Sequence, residues 1–172
     1  MSKELIAYFS VAGNNYWNGQ IVNLEKGNTE KVAEKLQKLT GANIYEIRTQ
    51  KKYAADYEKR TEEAKAELRS HARPLLSEKL PDMTDFDVLY LGYPIWWGMM
   101  PMPVLSFLEN IDTSDKIIRP FCTHEGSGLG NSLRWLRQSC PKAEIEAGLP
   151  IVGHDADDSD ALIEQWIGGK NK

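Results

Sequence analysis

Phe9–Glu34 read FSVAGNNYWNGQIVNLEKGNTEKVAE, and this stretch joins the first predicted strand to the first predicted helix. The strand comes from the short apolar run Lys3–Ser10, KELIAYFS. The helix comes from apolar residues at helical spacing over Thr29–Thr40, with Asn28 as the expected N-cap and Gly41 as the C-terminal stop. A strand, a long loop and a helix in this order are typical of the first unit of an α/β protein.

Strands and helices continue to alternate along the rest of the chain. Short apolar or β-branched runs predict four further strands, at Ala42–Ile47, Asp87–Tyr93, Lys116–Thr123 and Glu144–Leu149. Helical spacing predicts four further helices, at Tyr57–Leu68, after Pro103, at Leu129–Leu136 and at Ser159–Ile167. Because parallel neighbours need crossovers, the pattern indicates a doubly wound α/β fold with a five-stranded parallel sheet and helices on both faces. We expect one domain over residues 1–172, with an insertion in the first loop at about residues 11–27.

The composition excludes several classes of function. The 172 residues are 41% hydrophobic with a net charge of −4, which is ordinary for a globular domain. No apolar run has the length of a membrane span and the N-terminus lacks a secretory pattern, so we expect a cytoplasmic protein with no membrane partner. Basic residues are interspersed with acidic ones, which argues against a nucleic-acid partner. Cys122 and Cys140 lie far apart without a CxxC motif, so we expect ordinary thiols.

The first loop offers a candidate anion site. In a doubly wound sheet, ligands bind outside the carboxyl ends of the strands. Ser10 ends the first strand, and Asn28 and Thr29 open the first helix, whose free amides and dipole favour an anion. The similar tripeptide Ala12-Gly13-Asn14 has no helix directly behind it, so Gly27-Asn28-Thr29 is the better cradle. No GxxxxGK[ST] motif is present, which favours a phosphate monoester over a nucleoside triphosphate. The alternative is that Asn28 only caps the helix.

The loop after the third strand reads YPIWWGMMPMPV from Tyr93 onward and contains tandem tryptophans. Trp96 and Trp97 could offer flat faces to a ring system, and backbone groups around Gly98 could approach it closely. The alternative is that at least one of the two indoles packs inward beneath the next helix.

The loop after the fourth strand reads THEGSGLGNS from Thr123 onward. It matches neither a complete dinucleotide fingerprint nor the GxSxG motif of hydrolases, so nucleophilic catalysis is disfavoured. Its backbone amides and the Thr123 hydroxyl could bind the polar edge of the same ring system. His71 and His154 look like ordinary surface or turn residues. The acidic run Asp155–Asp160 lacks the spacing of a calcium loop and predicts a solvated helix start, with no metal site.

Taken together, YFS followed by GNTEKVAEKL, then YPIWWG, then TxEGSGxG, resemble the flavodoxin-like family of flavin mononucleotide (FMN) proteins, closest to a bacterial branch with a long insertion before GNT. The resemblance implies strand order 2-1-3-4-5, non-covalently bound FMN and a redox function. Transferred by position, and including three residues of the insertion loop, it implies a set of cofactor-binding residues and no catalytic side chain: Ser10, Val11, Ala12, Asn15, Asn28, Thr29, Pro94, Ile95, Trp96, Trp97, Gly98, Thr123, Glu125, Gly126, Ser127 and Gly128.

Three functions are compatible with these residues. The first is an FMN electron carrier that acts between redox partner proteins. The second is an NAD(P)H-dependent FMN reductase of quinones or similar small acceptors. It is favoured by the moderate charge and by the open tryptophan edge. His124-Glu125-Gly126, where carriers of this family usually place an aromatic residue, weighs against the first function. The third is a flavin-free α/β binding domain. Asn15, Tyr16 and Trp17 of the insertion could fold back over the cofactor. We expect a monomer or a homodimer.

Overall fold

The structure is a computed structural model that describes residues 3–168. Eight strands run through it: β1 Glu4–Tyr8, β2 Gly13–Trp17, β3 Gln20–Leu24, β4 Asn43–Glu46, β5 Val88–Pro94, β6 Ile117–His124, β7 Glu144–Ile145 and β8 Leu149–Val152. Five α-helices alternate with them: α1 Asn28–Thr40, α2 Tyr57–Ser70, α3 Met102–Glu109, α4 Ser132–Ser139 and α5 Asp160–Gly168. All five predicted helices and the first four predicted strands are present within one to three residues of their expected bounds.

The central sheet confirms the predicted doubly wound fold. Its order is β4-β1-β5-β6-β7, with β8 also paired to β6, and every pairing is parallel. This is the expected order 2-1-3-4-5 with two short strands in the fifth position. The sheet therefore has six strands, where five were expected.

Pro120 accounts for the divided edge. Ile117 donates its N–H to Asp87 before β5, whereas the carbonyl of Ile118 accepts from Glu146 on the edge. The backbone N–H and C=O groups of even-numbered residues of β6 therefore point toward the edge strand. Pro120 is an even-numbered residue, and it has no N–H to donate to that strand. The edge pairs with β6 on both sides of this position, as β7 and as β8.

Helices cover both faces of the sheet. α1 and α5 pack on one face, where Val32, Leu36 and Ile163 meet Ile6 and Tyr90. α3 and α4 pack on the other face, in a larger apolar cluster that includes Leu105, Phe107, Leu89, Leu91 and Leu136. Within residues 3–168, no helix combines the length and the apolar character that a membrane span requires.

The insertion forms a β-hairpin, which the sequence prediction treated as loop. β2 and β3 pair antiparallel, and Trp17 lies opposite Gln20 across a two-residue turn. The turn residues Asn18 and Gly19 both have positive φ, at 50° and 85°. Asn-Gly is the preferred pair for such a type I′ turn, so the hairpin had a local signal in the sequence.

Both cysteines are buried free thiols, as predicted. Burial raises the pKa of Cys122 to about 12, so this thiol stays protonated at neutral pH and is a poor nucleophile.

Candidate functional site

A cavity of about 130 Å³ opens at the carboxyl ends of β1, β5 and β6, where the winding direction of the sheet reverses. Ten of the predicted site residues line it: Ser10, Val11, Asn15, Asn28, Thr29, Pro94, Ile95, Trp96, Thr123 and Glu125. Four further residues complete the lining: Tyr16, Tyr57, His124 and Gly153. We call this space the sheet-edge cavity.

The start of α1 forms one end of the sheet-edge cavity. The N-cap is Gly27, and no side chain caps the helix at that position. The expectation that Asn28 caps α1 is therefore wrong. Ser10 Oγ accepts the N–H of Glu30 at 3.1 Å in its place. The side-chain oxygen of Asn28 is buried without a hydrogen-bond partner.

Gly27 allows this close approach. A Cβ at position 27 would lie 2.2 Å from Ser10 Oγ and 2.7 Å from the carbonyl oxygen of Val11. The N–H of Lys31 donates to the carbonyl of Gly27, and the N–H of Glu30 donates to Ser10 Oγ. Among the described residues, the two preceding N–H groups, those of Asn28 and Thr29, have no acceptor. Free amides at a helix N-terminus are suited to an anion.

Two buried hydroxyls lie beside these amides. Thr29 on α1 and Thr123 on β6 are 1% and 5% exposed, and their hydroxyl oxygens are 2.8 Å apart. One hydroxyl donates to the other, which leaves the second hydrogen for a ligand. Ser10 also accepts from Glu30, so its own hydrogen can donate as well. Lys26 and Lys31 are paired with carboxylates of Glu34 and Asp157. The cradle therefore consists of hydroxyls and amides.

The tandem tryptophans have different environments. Trp96 is half-buried and lines the sheet-edge cavity. Its ring makes edge contacts with Phe9 and Tyr53, each at a centroid distance of 5.3 Å. Trp97 is 52% exposed and lies outside this cavity. Trp96 is therefore packed partly inward, against Phe9 and Tyr53, and keeps part of its surface on the cavity.

A second cavity of about 370 Å³ adjoins the first, and we call it the α2 cavity. The two cavities share Asn15, Tyr57, Ile95 and Trp96, and the α2 cavity adds Arg60, Thr61, Ala64 and Trp97. None of its lining residues belongs to the Gly27-Asn28-Thr29 cradle. Arg60 and its neighbours on α2 had no signal in the sequence that linked them to a site.

Glu125 connects the hairpin to the far side of the sheet-edge cavity. One carboxylate oxygen accepts from the backbone N–H of Asn18 at 3.3 Å and lies 2.7 Å from His154 Nδ1. The other oxygen is buried and unpartnered. Trp17 packs edge-on against His154 at 6.0 Å. His154 lies in the short 3-10 helix Gly153–Asp158, which agrees with its interpretation as a surface or turn residue, but it also contacts a carboxylate of the candidate site.

The loop after β6 is organised by His124. The N–H of Gly126 donates to His124 Nδ1 at 2.9 Å, so that nitrogen is unprotonated. Burial lowers the pKa of His124, while the charge of Glu125 opposes the shift. Six predicted residues lie outside the sheet-edge cavity: Ala12, Trp97, Gly98, Gly126, Ser127 and Gly128. The carbonyl of Gly98 accepts from Asn131, so it is not free for a ligand ring in this conformation.

Acidic residues of the run Asp155–Asp160 form ion pairs with lysines of α1. Asp157 and Asp160 lie 3.3 Å and 2.7 Å from Lys31 and Lys35. Both carboxylates remain largely exposed, as expected for a solvated helix start. Within residues 3–168, no group of three or more His, Cys, Asp or Glu side chains is placed to hold a metal ion.

The model of a family described as Flavodoxin matches residues 3–169. A candidate flavoprotein from Bacteroides eggerthii is similar in structure, with a TM-score of 0.79 and 27% identity over 98% of this chain and 97% of that one. A second from Bacteroides uniformis has a TM-score of 0.79 and 29% identity over 97% and 98%. A flavoprotein from Lactobacillus acidophilus in complex with FMN has a TM-score of 0.67 and 18% identity over 92% and 98%. No curated protein matches the sequence.

Proposed function

The chain belongs to the flavodoxin family, and we propose on this premise that it binds FMN at the sheet-edge cavity and transfers electrons through it. The observation that carries the proposal is the cradle at the start of α1. Free amides of Asn28 and Thr29 lie beside the hydroxyls of Ser10, Thr29 and Thr123, with no lysine among the lining residues. Such a set of donors suits a phosphate monoester.

The remaining lining fits the rest of such a cofactor. Asn28 and Glu125 each present a buried acceptor oxygen without a partner, and FMN carries hydroxyl and N–H donors that could satisfy them. Trp96 and Ile95 supply an apolar wall at the end of β5. The sheet-edge cavity, at about 130 Å³, is smaller than the 300 Å³ or so of a typical ligand site, so bound FMN would extend beyond this space.

The chemistry of such a complex is that of the flavin, which accepts one or two electrons. The protein binds the phosphate, excludes water from the ring and sets the charges around it. Glu125 brings negative charge to the cavity and His124 stays neutral near pH 7. An anionic reduced cofactor would therefore be disfavoured on this side. No side chain needs to act as a nucleophile.

An NAD(P)H-dependent reductase of quinones or similar acceptors is the second candidate. It is favoured by the α2 cavity, which adjoins the proposed cofactor site and is walled by aromatic side chains. An electron carrier to partner proteins needs no such space for a small substrate. A flavin-free domain is the least favoured, because Asn28 does not cap α1 with its side chain and Trp97 is mostly exposed.

Titration of the purified, flavin-free protein with FMN and with riboflavin tests the proposal. Flavin fluorescence gives both dissociation constants. We expect FMN to bind at least about 100-fold more tightly than riboflavin, because two or more hydrogen bonds to the phosphate contribute about 1.5–3 kcal/mol each. Equal affinities would contradict a phosphate cradle at Asn28 and Thr29. Binding of neither compound would support the flavin-free alternative.

Steady oxidation of NADH or NADPH by the FMN-loaded protein in the presence of a quinone separates the remaining two functions. Turnover at many equivalents per protein supports the reductase. A loaded protein that oxidises no nicotinamide but exchanges electrons with a second redox protein supports the carrier.

A further inference from the structure

We propose that Arg60 supplies the positive charge that stabilises the anionic reduced form of the bound cofactor, and that it thereby raises the reduction potential of the protein. This role rests on the proposed function, because it concerns FMN held at the sheet-edge cavity. It belongs to a residue of α2 that lies outside the phosphate cradle and outside the loops after β5 and β6. The observations behind it are the burial of Arg60, its unpaired charge and its position beside the shared part of the two cavities.

Arg60 is a buried cation without a carboxylate partner. The residue is 4% exposed. Among the described residues, no carboxylate lies within ion-pair distance of its guanidinium. Of the nearby acids, Glu63 accepts the N–H of Ala54 at 2.7 Å. Asp56 accepts the N–H of Lys59 at 3.0 Å. A positive charge buried in this way is costly, and a negative charge close to it offsets that cost.

Three backbone carbonyls hold the guanidinium in place. Nη1 donates to the carbonyls of Ala54 and Ala55 at 3.2 Å and 3.4 Å. Nη2 donates to the carbonyl of Asn14 on the hairpin. Carbonyls are neutral, so these bonds fix the position of the group without cancelling its charge. Burial lowers the pKa of Arg60, but the ordinary pKa of an arginine is so far above neutrality that the group stays protonated.

Arg60 lies next to the space into which FMN extends from the cradle. The sheet-edge cavity holds only about 130 Å³ and shares four lining residues with the α2 cavity of about 370 Å³: Asn15, Tyr57, Ile95 and Trp96. With its phosphate at the start of α1, FMN reaches these shared walls with its flavin ring. Arg60 lines the α2 cavity beside them. The shared walls are mostly aromatic and apolar, and in such surroundings charges interact more strongly than in water.

A strained turn holds α2 in this position. Trp97 has a φ of 55° and Gly98 a φ of 72°, and paired backbone hydrogen bonds between the two flanking residues close the turn. Asn-Gly is the usual pair in such a turn, so the backbone of Trp97 is strained. The indole Nε1–H donates to the carbonyl of Thr61 at 2.8 Å. This bond joins the loop after β5 to α2 at the residue that follows Arg60, so the helix and its buried charge stay beside the cavity.

The charge of Arg60 meets the negative charge that FMN gains on reduction. A hydride carries two electrons and one proton, so its transfer from a nicotinamide to FMN gives a reduced ring with one additional negative charge and requires no further proton. Two electrons and one proton that arrive separately give the same product. Because an opposite charge nearby favours the charged form, Arg60 stabilises the reduced cofactor more than the oxidised one.

Besides the tyrosines, three further titratable side chains lie near the two cavities: Glu125, His124 and Lys65. Glu125 opposes Arg60, but one of its carboxylate oxygens lies 2.7 Å from His154 Nδ1, so part of its charge is compensated there. Burial lowers the pKa of His124, and this residue adds no charge near neutral pH. Lys65 Nζ lies 4.9 Å from the Trp97 ring centroid, but Lys65 is more exposed than Arg60 and solvent screens it. Arg60 is therefore the least compensated of these charges.

Spectroelectrochemical titration of the FMN-loaded protein tests this role. In Arg60→Met, we expect the affinity for reduced FMN to fall at least about tenfold more than the affinity for oxidised FMN, which lowers the two-electron midpoint potential by at least about 30 mV. Arg60→Lys keeps a positive charge and should recover much of that loss. Arg69→Met changes an exposed arginine on the same helix and should leave the potential unchanged. If Arg60 served only the structure, its loss would weaken both forms of the cofactor equally.

The absorption spectrum of the fully reduced cofactor provides a second readout, because the protonated and anionic rings differ in their absorption. In the unmodified protein, the pKa of the reduced ring should lie below that of free reduced FMN, and in Arg60→Met it should return toward the free value. A reduced ring that is no more acidic than free reduced FMN would overturn the proposal even if Arg60→Met does not fold.

Two outcomes separate this proposal from the proposed function. Equal potentials in the unmodified protein and in Arg60→Met, with FMN bound to both, would overturn the role of Arg60 and leave FMN binding intact. Absence of FMN binding to the unmodified protein would overturn the proposed function and the role of Arg60 together.

Discussion

Thr29→Val probes the phosphate cradle with the least disturbance to the fold. The substitution exchanges a hydroxyl for a methyl group at a position that is 1% exposed. It removes the 2.8 Å hydrogen bond to Thr123 and leaves that second hydroxyl buried without its partner. The pair has one hydroxyl hydrogen for the phosphate of FMN, so the single variant can keep that donor through Thr123, whereas replacement of both residues removes it.

The two effects have different magnitudes and can be separated. Leaving one buried hydroxyl unpaired lowers the free energy of unfolding of the flavin-free protein by about 1–3 kcal/mol. Replacing both hydroxyls, in Thr29→Val with Thr123→Val, removes the unpaired group and should restore much of that loss. Affinity for FMN follows the opposite pattern. Each lost hydrogen bond to the phosphate weakens binding about tenfold or more, so the double variant binds worst.

Urea unfolding of the flavin-free proteins and fluorescence titration with FMN measure the two quantities. Thr40→Val is the matched control, because it makes the same change at the other end of α1. The Thr40 hydroxyl donates to the carbonyl of Leu36 at 2.8 Å and accepts from Ala42 at 3.2 Å. Its loss should cost about 1 kcal/mol of stability and leave FMN affinity unchanged.

One result would refute this reasoning. If the Thr29 and Thr123 double variant is as stable as expected but binds FMN as tightly as the unmodified protein, the hydroxyls do not hold the phosphate. Riboflavin provides a second check, since its affinity should be nearly the same in all of these proteins.

Three further changes follow from the same contacts. Gly27→Ala should weaken FMN binding at least about tenfold, because the new Cβ would lie 2.2 Å from Ser10 Oγ and push this hydroxyl away. Unchanged affinity by titration would contradict the close approach. Trp97→Asn should change the free energy of unfolding by less than about 1 kcal/mol, because relief of strain offsets the lost contacts, whereas Trp96→Asn should cost at least about 2 kcal/mol in urea unfolding. Burial lowers the pKa of His124, so its NMR titration midpoint should lie below about 6.5. The unfolded chain then binds a proton on His124 more readily than the folded protein does. The contribution of neutral His124 to the free energy of unfolding is therefore complete above about pH 6.5 and is lost as the pH falls. A midpoint above about 6.5 would contradict the lowered pKa.

Hydrophobic patterning was enough to predict the fold. β5 is apolar throughout and α1 has a clear apolar stripe, and alternation of such elements leaves few arrangements other than a parallel, doubly wound sheet. The divided edge could not be predicted in the same way. Pro120 was visible, but whether its missing N–H faces the interior or the edge depends on the register of β6.

The sheet-edge cavity could be predicted in outline because the fold brings the ends of β1, β5 and β6 to one edge. This placed Ser10, Thr29, Trp96 and Thr123 together without any knowledge of side-chain contacts. The hairpin was not predicted, although Asn18-Gly19 is a strong signal for a hairpin turn, because residues 11–27 were expected to form a long loop.

The α2 cavity was beyond prediction for a different reason. Arg60 meets the hairpin carbonyl of Asn14 across 46 positions of sequence, and Trp97 meets Thr61 across 36. Trp97 was predicted as part of the ring-binding loop, but Arg60 has no local pattern that marks it, because an arginine on a helix is normally solvated. Only the packing of α2 against both the hairpin and the strained turn makes its guanidinium a buried one.

Several departures from local rules lie at the two adjoining cavities. Trp97 has a positive φ in a turn that usually carries asparagine at this position. Among the described residues, Arg60 is buried without an ion-pair partner, and side-chain oxygens of Asn28 and Glu125 are buried without a hydrogen-bond donor. Each of these is unfavourable by itself, and the core strands provide ample apolar packing to tolerate them. Since proteins commonly accept such costs where a ligand offsets them, both cavities are better understood as binding sites than as packing defects. A ligand bound in either cavity should then raise the free energy of unfolding of the protein.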